Sequence, residues 1–333
     1  MRIAVLGAGA WGTALAISLS SNNSSSHEVM LWTRDPEHLA ELESDHINRR
    51  YFPAFPLPDC LGLTSVLGAA IEFAELALIA VPTYGLRETL RGIAAHGKDL
   101  PLIWGCKGFE SLSAKLPHQV VQEEYGNAAP YGVLSGPSFA QEVAQGLPTA
   151  LTLASHDEQF SRVMAAELRT PRLRVYSCKD IVGVETGGAI KNVISIAAGI
   201  SDGMGFGYNA RAALITRGLA EIARLGLKLG GRMETFMGLT GAGDLILTCT
   251  GDLSRNRRVG LMLAAGRCLP DILHDLGHTA EGVHTAAEVG RLSEILKVEM
   301  PITKAVCSIL YEGTPAGLAV EALLNREPRN EIY

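Results

Sequence analysis

The sequence predicts an α/β protein in which a doubly wound sheet is followed by an all-helical C-terminal domain. The first observation is that short apolar runs alternate with helical patterns over the first 178 or so residues, which is typical of βαβ units. The second is that the strand pattern fades from about residue 179 and helical patterns replace it. A chain of 333 residues, 47% hydrophobic and with 36 glycines, is long enough for a large core and two domains.

The predicted strands are short, and several are apolar on both faces, as buried parallel strands are. They occupy residues 2–7, 28–33, 76–82, 101–106, 131–136, 150–155 and 173–177. The predicted helices of the second part occupy residues 180–200, 209–230, 257–266, 285–297 and 301–313. We therefore place a nucleotide-binding domain at 1–178 and a helical substrate domain at 179–333, with the active site between them.

Charge and cysteine content argue against several other classes of protein. The formal net charge is -6, whereas general nucleic-acid binding requires a basic surface. The six cysteines form no CxxC pair and no His-rich spacing accompanies them, so we expect no metal site and reduced thiols in a cytoplasmic protein. No uninterrupted apolar run reaches the roughly 18 residues of a membrane span, and glycines interrupt the apolar N-terminus, unlike a signal peptide.

The segment GAGAWG predicts a dinucleotide site of the Rossmann type, because its G-x-G-x-x-G pattern joins an apolar strand to an apolar helix. Gly7 permits the tight turn, Gly9 lets the backbone approach a pyrophosphate, and Gly12 lets helix and strand pack closely. Ala10 and Trp11 begin the helix, whose N-terminal amides and dipole favour phosphate. A glycine-rich turn without a ligand is the alternative.

The end of the second strand decides which dinucleotide is used. NAD enzymes usually carry an acidic residue there, whereas this sequence has Thr33 and Arg34, followed by Asp35 and Pro36. Arg34 can pair with a 2′-phosphate, and Asp35 can instead cap the next helix, with Pro36 in its first turn. We therefore predict that NADPH is favoured and that NADH can also be used.

Four further segments place polar residues in apolar or glycine-rich surroundings. Lys107 follows an apolar strand in WGCKGFE, and Gly136 and Ser138 lie in a strand-to-helix turn in LSGPSFAQEV. Lys191 lies inside the otherwise apolar helix ETGGAIKNVISIAAG. Asp244 follows a glycine turn in GLTGAGDLILTC, and the arginine-rich segment GDLSRNRR comes next.

Together these segments resemble the bacterial NAD(P)-dependent glycerol-3-phosphate dehydrogenases. The resemblance covers nearly the whole chain and keeps the motifs in order: GAGAWGTALA, LIWGCKG, LSGPSFAQEV, GGAIKNVISIAAG, GLTGAGDLILTC and SRNRRVG. It implies reversible hydride transfer between NAD(P)H and dihydroxyacetone phosphate, which gives sn-glycerol 3-phosphate for phospholipid synthesis.

Reduction of a ketone needs a proton donor within hydrogen-bond reach of the carbonyl oxygen. Lys191 is the candidate, because burial in an apolar helix lowers the pKa of a lysine, and the resemblance implies the same role. A surface lysine extending from its helix is the alternative. The resemblance implies that Lys107 adds a second positive charge. It also implies that Asp244 holds a substrate hydroxyl or orients Lys191, with Thr248 as a further candidate, although such an aspartate is often only a helix cap.

The resemblance places the substrate phosphate at the arginine-rich segment. Arginine presents a planar fork that suits phosphate, and serine and asparagine add neutral donors. Ser254, Arg255 and Asn256 are the expected contacts, with Arg255 also near the cofactor. Arg257 and Arg258 begin a helical pattern and are expected to serve structure or a solvated face.

The remaining residues implied by the resemblance surround the substrate and the cofactor. Gly136 and Ser138 would offer backbone and hydroxyl contacts to the substrate. Glu281, in TAEGVHT, would bind the ribose or the nicotinamide. The cofactor contacts beyond the glycine loop and Arg34 would be Lys107, Ala140, Arg255, Thr279 and Glu281.

Two other functions stay open on the residues alone. A related dehydrogenase for a hydroxy acid or a ketopantoate-like substrate would share the glycine motif but not the phosphate-binding segment. A non-catalytic NADP-binding redox sensor would share the fold, and the joint presence of Lys107, Lys191 and Asp244 argues against it. We also expect a homodimer, since the apolar C-terminal helices could bury an interface, although they could equally be core.

Overall fold

The computed structural model describes residues 1–21, 27–277 and 280–326. Its strands, numbered β1 to β10 in chain order, are Arg2–Leu6, Glu28–Trp32, Ile47–Asn48, Phe52–Pro56, Gly62–Thr64, Leu76–Ile79, Leu102–Trp104, Tyr131–Ser135, Thr149–Ala154 and Leu173–Cys178. Eight of them form one sheet in the order β10-β9-β8-β7-β6-β1-β2-β5, and β3 pairs with β4 separately. The sheet pairings are parallel except that of β8 with β9, which is antiparallel.

The helices on the two faces of this sheet follow its strands. They are α1 to α7: Ala10–Ser20, Pro36–Asp45, Leu67–Phe73, Thr83–Ala94, Pro117–Glu124, Ala140–Ala144 and Glu158–Glu167. The helices after β10 are α8 to α16: Ile181–Gly203, Gly207–Lys228, Met233–Phe236, Asp244–Thr250, Arg255–Ala264, Leu269–Leu276, Glu281–Ile295, Pro301–Tyr311 and Ala316–Leu324. A short π-helix, Leu239–Gly243, precedes α11.

The predicted fold class, an α/β protein with a Rossmann-type sheet and an all-helical C-terminal part, is confirmed. Every predicted strand is present with small shifts at its ends. The sequence pattern did not indicate β5 or the β3–β4 pair, because β3 and β5 have only two and three residues and show no periodicity.

Helix α8 is the centre of the helical part. Its residues are buried almost without interruption from Ile181 to Ser201. It is long and apolar enough to cross a membrane, but 94% of its apolar window is buried inside the protein, as in a core helix. Close packing on α8 depends on glycine: a Cβ at Gly199 would lie 2.0 Å from the carbonyl oxygen of Arg257 in α12.

The order of the strands places the functional segments at one edge of the sheet. The chain runs outward from β1 to β2 and β5 on one side, and through β6, β7 and β8 on the other. The carboxyl ends of adjacent parallel strands therefore meet where the order reverses, which is where doubly wound sheets bind ligands. The glycine loop follows β1, and Lys107 and Gly136 follow β7 and β8.

Candidate active site

The loop between β1 and α1 is shaped to admit a dinucleotide phosphate. Gly7 has a φ of +120°, and a Cβ at Gly12 would lie 1.9 Å from the carbonyl oxygen of Gly7. A Cβ at Gly9 would meet no atom within 4 Å, so the backbone there is open to a ligand. No side chain caps α1, which leaves the amides of Ala10 and Trp11 available to an anion. The residues present therefore fit a dinucleotide.

The end of β2 carries Arg34, whose side chain is available to a ligand, and Asp35, whose carboxylate is already bonded within the protein. Asp35 caps α2 by accepting a hydrogen bond from the Glu37 amide at 2.9 Å, which confirms the predicted capping role. It also pairs with Arg50 at 2.6 Å, and this hydrogen bond is the main reason that its pKa is lowered. Arg34 pairs with Glu88 at 3.2 Å, but their side chains are 73% and 75% exposed, so solvent weakens the pair.

Two lysines and one aspartate meet between β7, α8 and α11. Lys191 Nζ donates to Asp244 Oδ1 at 2.6 Å and to Thr248 Oγ1 at 2.8 Å. Lys107 Nζ donates to Asp244 Oδ2 at 2.7 Å and to the carbonyl oxygen of Gly136 at 3.1 Å. A single carboxylate thus orients two ammonium groups, and the structure brings together the three residues that the sequence predicts to be catalytic.

Burial tunes the protonation of this cluster. The side chains of Lys191 and Asp244 are 9% and 1% exposed. Burial lowers the pKa of Lys191 to about 8, with the Lys107 charge acting in the same direction and the Asp244 charge opposing it. Burial favours the neutral form of Asp244, but the two lysines outweigh this effect and lower its pKa. Asp244 is therefore ionised, and Lys191 can exchange a proton near neutral pH.

The residues before Asp244 form the π-helix Leu239–Gly243, a rare conformation that is frequent at functional sites. Its wider turn alters the direction of the side chains that follow. The π-helix packs directly on α8, where a Cβ at Gly187 would lie 2.9 Å from the carbonyl oxygen of Thr240. The sequence pattern predicts only a glycine turn here, because a π-turn has no simple sequence pattern.

The side chains of Ser254 and Asn256 bond within the protein. Ser254 caps α12 by accepting a hydrogen bond from the Arg257 amide at 3.2 Å. Asn256 donates to Asn192 Oδ1 at 2.9 Å and accepts from the Gly282 amide at 3.1 Å. Asn256 therefore links α12 to α8 and to the start of α14. Together, the Ser254 and Asn256 side chains hold the N-terminus of α12 in place.

The three arginines of the segment lie in different surroundings. Arg257 is buried and pairs with Asp202 at 2.7 Å, and Arg258 is exposed, which confirms their structural and solvated roles. Arg255 is exposed and makes no hydrogen bond or ion pair with any residue that the structure describes. Burial raises the pKa of Glu281, and the charge of Arg255 opposes this rise. This effect indicates that the two side chains lie near each other. Arg255 is thus a cation available to a ligand.

The structure places the other predicted site residues, with one exception. Gly136 has a φ of +137°, and Ser138 Oγ donates to its carbonyl oxygen at 3.1 Å. Ala140 begins α6 and Glu281 begins α14. Thr279 lies outside the described residues, so the structure does not place it.

Several polar residues in the site were not predicted. Ser195 Oγ donates to the carbonyl oxygen of Thr248 at 2.9 Å. The buried Ser135 hydroxyl has no hydrogen-bond partner among the described residues, and a Cβ at Gly188 would lie 3.0 Å from it and 3.6 Å from Lys107 Cδ. No sequence signal marks these small hydroxyls, because their neighbours come from distant elements. Within residues 1–21, 27–277 and 280–326, no cluster of His, Cys, Asp and Glu could hold a metal.

Comparison with known proteins decides the family. The family described as NAD-dependent glycerol-3-phosphate dehydrogenase N-terminus matches residues 2–161, and its C-terminus counterpart matches residues 180–321. The chain belongs to the NAD-dependent glycerol-3-phosphate dehydrogenase family. The predicted resemblance is thereby confirmed.

Individual relatives of this glycerol-3-phosphate dehydrogenase family match along the full length. The chain is 77% identical to glycerol-3-phosphate dehydrogenase (NAD(P)+) of Nitrosospira multiformis, covering 100% of both chains. It is 63% identical to the enzyme of Nitrosomonas europaea, covering 99% of both. The solved structure of glycerol-3-phosphate dehydrogenase from Coxiella burnetii is 42% identical, with a TM-score of 0.93 over 98% of this chain and 99% of that chain.

These findings confirm that the chain is an NAD(P)-dependent oxidoreductase of the glycerol-3-phosphate dehydrogenase class. They also favour this class over the two alternatives, a hydroxy-acid or ketopantoate-type dehydrogenase and a non-catalytic redox sensor.

Proposed function

We propose that the protein reversibly reduces dihydroxyacetone phosphate to sn-glycerol 3-phosphate, with Lys191 as the proton donor. The observation that carries this proposal is the buried cluster of Lys191, Asp244 and Lys107 at the carboxyl edge of the sheet. A nicotinamide cofactor supplies the hydride when it is bound. The residues of the chain supply the proton, the charges and the orientation.

Lys191 supplies the proton because its ammonium group is buried and oriented, and because its pKa of about 8 lies near neutral pH. Asp244 and Thr248 hold Nζ by hydrogen bonds and keep it directed towards one site. The Lys107 charge stabilises the negative charge that develops on the substrate oxygen. In the reverse direction, neutral Lys191 accepts the hydroxyl proton of glycerol 3-phosphate.

The N-terminus of α12 binds the substrate phosphate. Ser254 caps this helix through the Arg257 amide, so the amides of Arg255 and Asn256 in its first turn stay available to an anion. The exposed guanidinium of Arg255 adds a charged fork. Ser254 and Asn256 fix the geometry of this anion site, while Gly136 and Ser138 contact the substrate from β8 and the loop after it.

The cofactor lies along the glycine loop and the strand ends next to it, and NADPH is favoured over NADH. Arg34 is available to a 2′-phosphate, whereas the carboxylate of Asp35 is neutralised by Arg50 and is a poor partner for a ribose hydroxyl. The residues that hold the dinucleotide are Gly7, Gly9, Ala10, Trp11, Gly12, Arg34, Lys107, Ala140, Arg255, Thr279 and Glu281.

The same proposal covers the setting of the enzyme, which is a cytoplasmic homodimer that supplies glycerophospholipid synthesis. Helices α9 and α10 and the residue that follows α10 leave apolar side chains exposed, among them Leu227, Met233 and Met237, and a second copy would cover such a surface. The six cysteines are free thiols, as in a reducing compartment. The domain boundary lies at 178/179, between the end of β10 and the start of α8.

The test is a rate measurement with NADPH and NADH, using dihydroxyacetone phosphate as substrate and dihydroxyacetone as the control. We expect oxidation of both cofactors with the phosphorylated ketone, faster with NADPH at low concentration, and little with the control. Equal rates for the two ketones would contradict the role of the α12 N-terminus, and no rate with either would contradict the reaction.

A further inference from the structure

A buried chain of hydrogen bonds joins the two parts of the proposed cofactor site. His38, in the first turn of α2, is 3% exposed and lies between Thr33 and Asn48. Its Nδ1 is 3.1 Å from Thr33 Oγ1, and its Nε2 is 3.0 Å from Asn48 Oδ1. Asn48 Nδ2 donates to the carbonyl oxygen of Ala8 at 2.8 Å. One end of this chain therefore lies beside Arg34 and the other in the glycine loop.

The partners of Asn48 determine the direction of the hydrogen bonds. Its Nδ2 also donates to Thr13 Oγ1 at 2.8 Å, so both amide hydrogens are used and Oδ1 faces His38. That oxygen accepts the hydrogen on His38 Nε2, which leaves Nδ1 to accept from the Thr33 hydroxyl. The bonds run in one direction from Thr33 to Ala8, and bonds arranged in this way strengthen one another.

At the glycine loop, Asn48 fixes the direction of an amide. The carbonyl group of Ala8 and the N–H group of Gly9 belong to one planar trans peptide and point in opposite directions. Because Asn48 holds the Ala8 oxygen towards β3, the Gly9 N–H is held on the opposite side of the peptide. Gly9 is one of the residues proposed to hold the dinucleotide, so this amide is positioned to donate to the pyrophosphate.

At the end of β2, the same chain fixes a turn. Thr33 Oγ1 accepts from the Asp35 amide at 3.4 Å, and the Thr33 amide donates to the carbonyl oxygen of Thr64 at 3.0 Å. Arg34 lies inside this turn. The bond from Thr33 to His38 therefore ties the backbone direction at Arg34 to the position of Asn48.

We propose that His38 and Asn48 are positioning residues for the dinucleotide. They hold Arg34, the proposed contact of the 2′-phosphate, at a constant position relative to the amides of the glycine loop. Neither side chain needs to touch the cofactor. The proposal rests on the proposed functions of Arg34 and the loop. Loss of the Thr33 end weakens recognition of the 2′-phosphate, whereas loss of the Asn48 end weakens binding of the pyrophosphate, which NADPH and NADH share.

The experiment measures equilibrium Kd values for NADPH and NADH by isothermal titration calorimetry on the full-length protein, with the melting temperature recorded for each variant. Thr33→Val keeps the shape but removes the hydroxyl, and we expect the Kd for NADPH to rise about tenfold while that for NADH changes less than about twofold. Thr33→Ser keeps a hydroxyl and should restore most of the NADPH affinity. Asn48→Leu should raise both Kd values together, by about tenfold.

A control and two contrary outcomes complete the test. The exposed side chain of His96 bonds to the carbonyl oxygen of Gly92 near the end of α4, far along the chain from the network, so His96→Gln should change neither Kd. Equal NADPH affinity in Thr33→Val and Thr33→Ser would overturn the proposal, and this pair decides it if Asn48→Leu does not fold. A lower melting temperature in Asn48→Leu with unchanged Kd values would also overturn it, because the network would then stabilise only the fold.

Arg34→Ala separates this proposal from the one on which it rests. If Arg34→Ala binds NADPH normally, the proposed 2′-phosphate contact is wrong. A parallel rise of both Kd values in Asn48→Leu would still support the action of His38 and Asn48 on the glycine loop.

Discussion

Lys191 Nζ lies 2.6 Å from Asp244 Oδ1 in a region that is almost completely buried. Burial lowers the pKa of the lysine, the nearby carboxylate raises it, and the result is a pKa of about 8. The two residues therefore contribute different properties to the site. In the proposed reaction, Lys191 carries the transferred proton, and Asp244 orients the ammonium group and sets the pH range in which it stays protonated.

Lys191→Met should remove turnover without removing the cofactor. Methionine has a similar length but no proton, so we expect kcat to fall about 10³-fold, within the range of general acid catalysis. The Kd for NADPH, measured by fluorescence titration, should stay within about twofold of the original value. A kcat near that of the unmodified enzyme would refute the assignment of Lys191.

The pH dependence should follow the protonation of Lys191. Reduction uses the protonated form, so kcat/KM for the ketone should be constant below pH 8 and fall above it, since the pKa is about 8. Oxidation of glycerol 3-phosphate uses the neutral form and should rise through the same range. Asp244→Asn removes the charge that raises this pKa, so the decline should begin at lower pH; an unchanged profile would contradict the coupling.

Arg255→Ala should weaken binding of the substrate phosphate. A hydrogen bond to a charged group contributes about 1.5–3 kcal/mol, so KM for dihydroxyacetone phosphate should rise about 10- to 100-fold. Arg258, exposed on the same helix, is the matched control, and Arg258→Ala should change KM by less than about twofold. Equal effects of the two substitutions would contradict the proposed anion site.

Arg34→Ala should reduce the preference for NADPH. Loss of a charged contact to the 2′-phosphate should raise KM for NADPH about tenfold and leave KM for NADH nearly unchanged. Glu88→Ala, which removes the surface partner of Arg34, should not weaken NADPH binding. The measurement compares KM for NADPH with KM for NADH in Arg34→Ala. If this variant kept its preference for NADPH, the proposed contact between Arg34 and the 2′-phosphate would be wrong.

Glu221→Ala should destabilise the helical part. The buried carboxylate accepts hydrogen bonds from the Ile302 amide at 2.6 Å and from the Thr303 amide and hydroxyl at 3.1 and 3.0 Å. Removing it leaves buried donors unpaired, which costs about 3 kcal/mol in the free energy of unfolding. Denaturant unfolding measures this loss, and Glu234→Ala, at an exposed site, should have little effect.

Much of the fold could be predicted from the sequence because strand and helix patterns are local. The apolar run before Gly7 and the helical run after Gly12 define the nucleotide loop by themselves, and the position of Lys191 in an apolar helix predicts a buried ammonium group. Asp35 followed by Pro36 predicts the start of α2, and Asp35 caps that helix. The short strands β3 and β5 could not be predicted, because tertiary contacts rather than periodicity create them.

The fold class, the dinucleotide loop and the candidate reactive side chains follow from the sequence alone, since each depends on residues close together in the chain. The tertiary structure decided which groups meet. The pKa of Lys191 depends on Asp244, 53 residues away, and the direction of the Ala8 carbonyl depends on Asn48, 40 residues away. Hydrogen-bond partners come from elements that only the folded chain brings together, so no local pattern could reveal them.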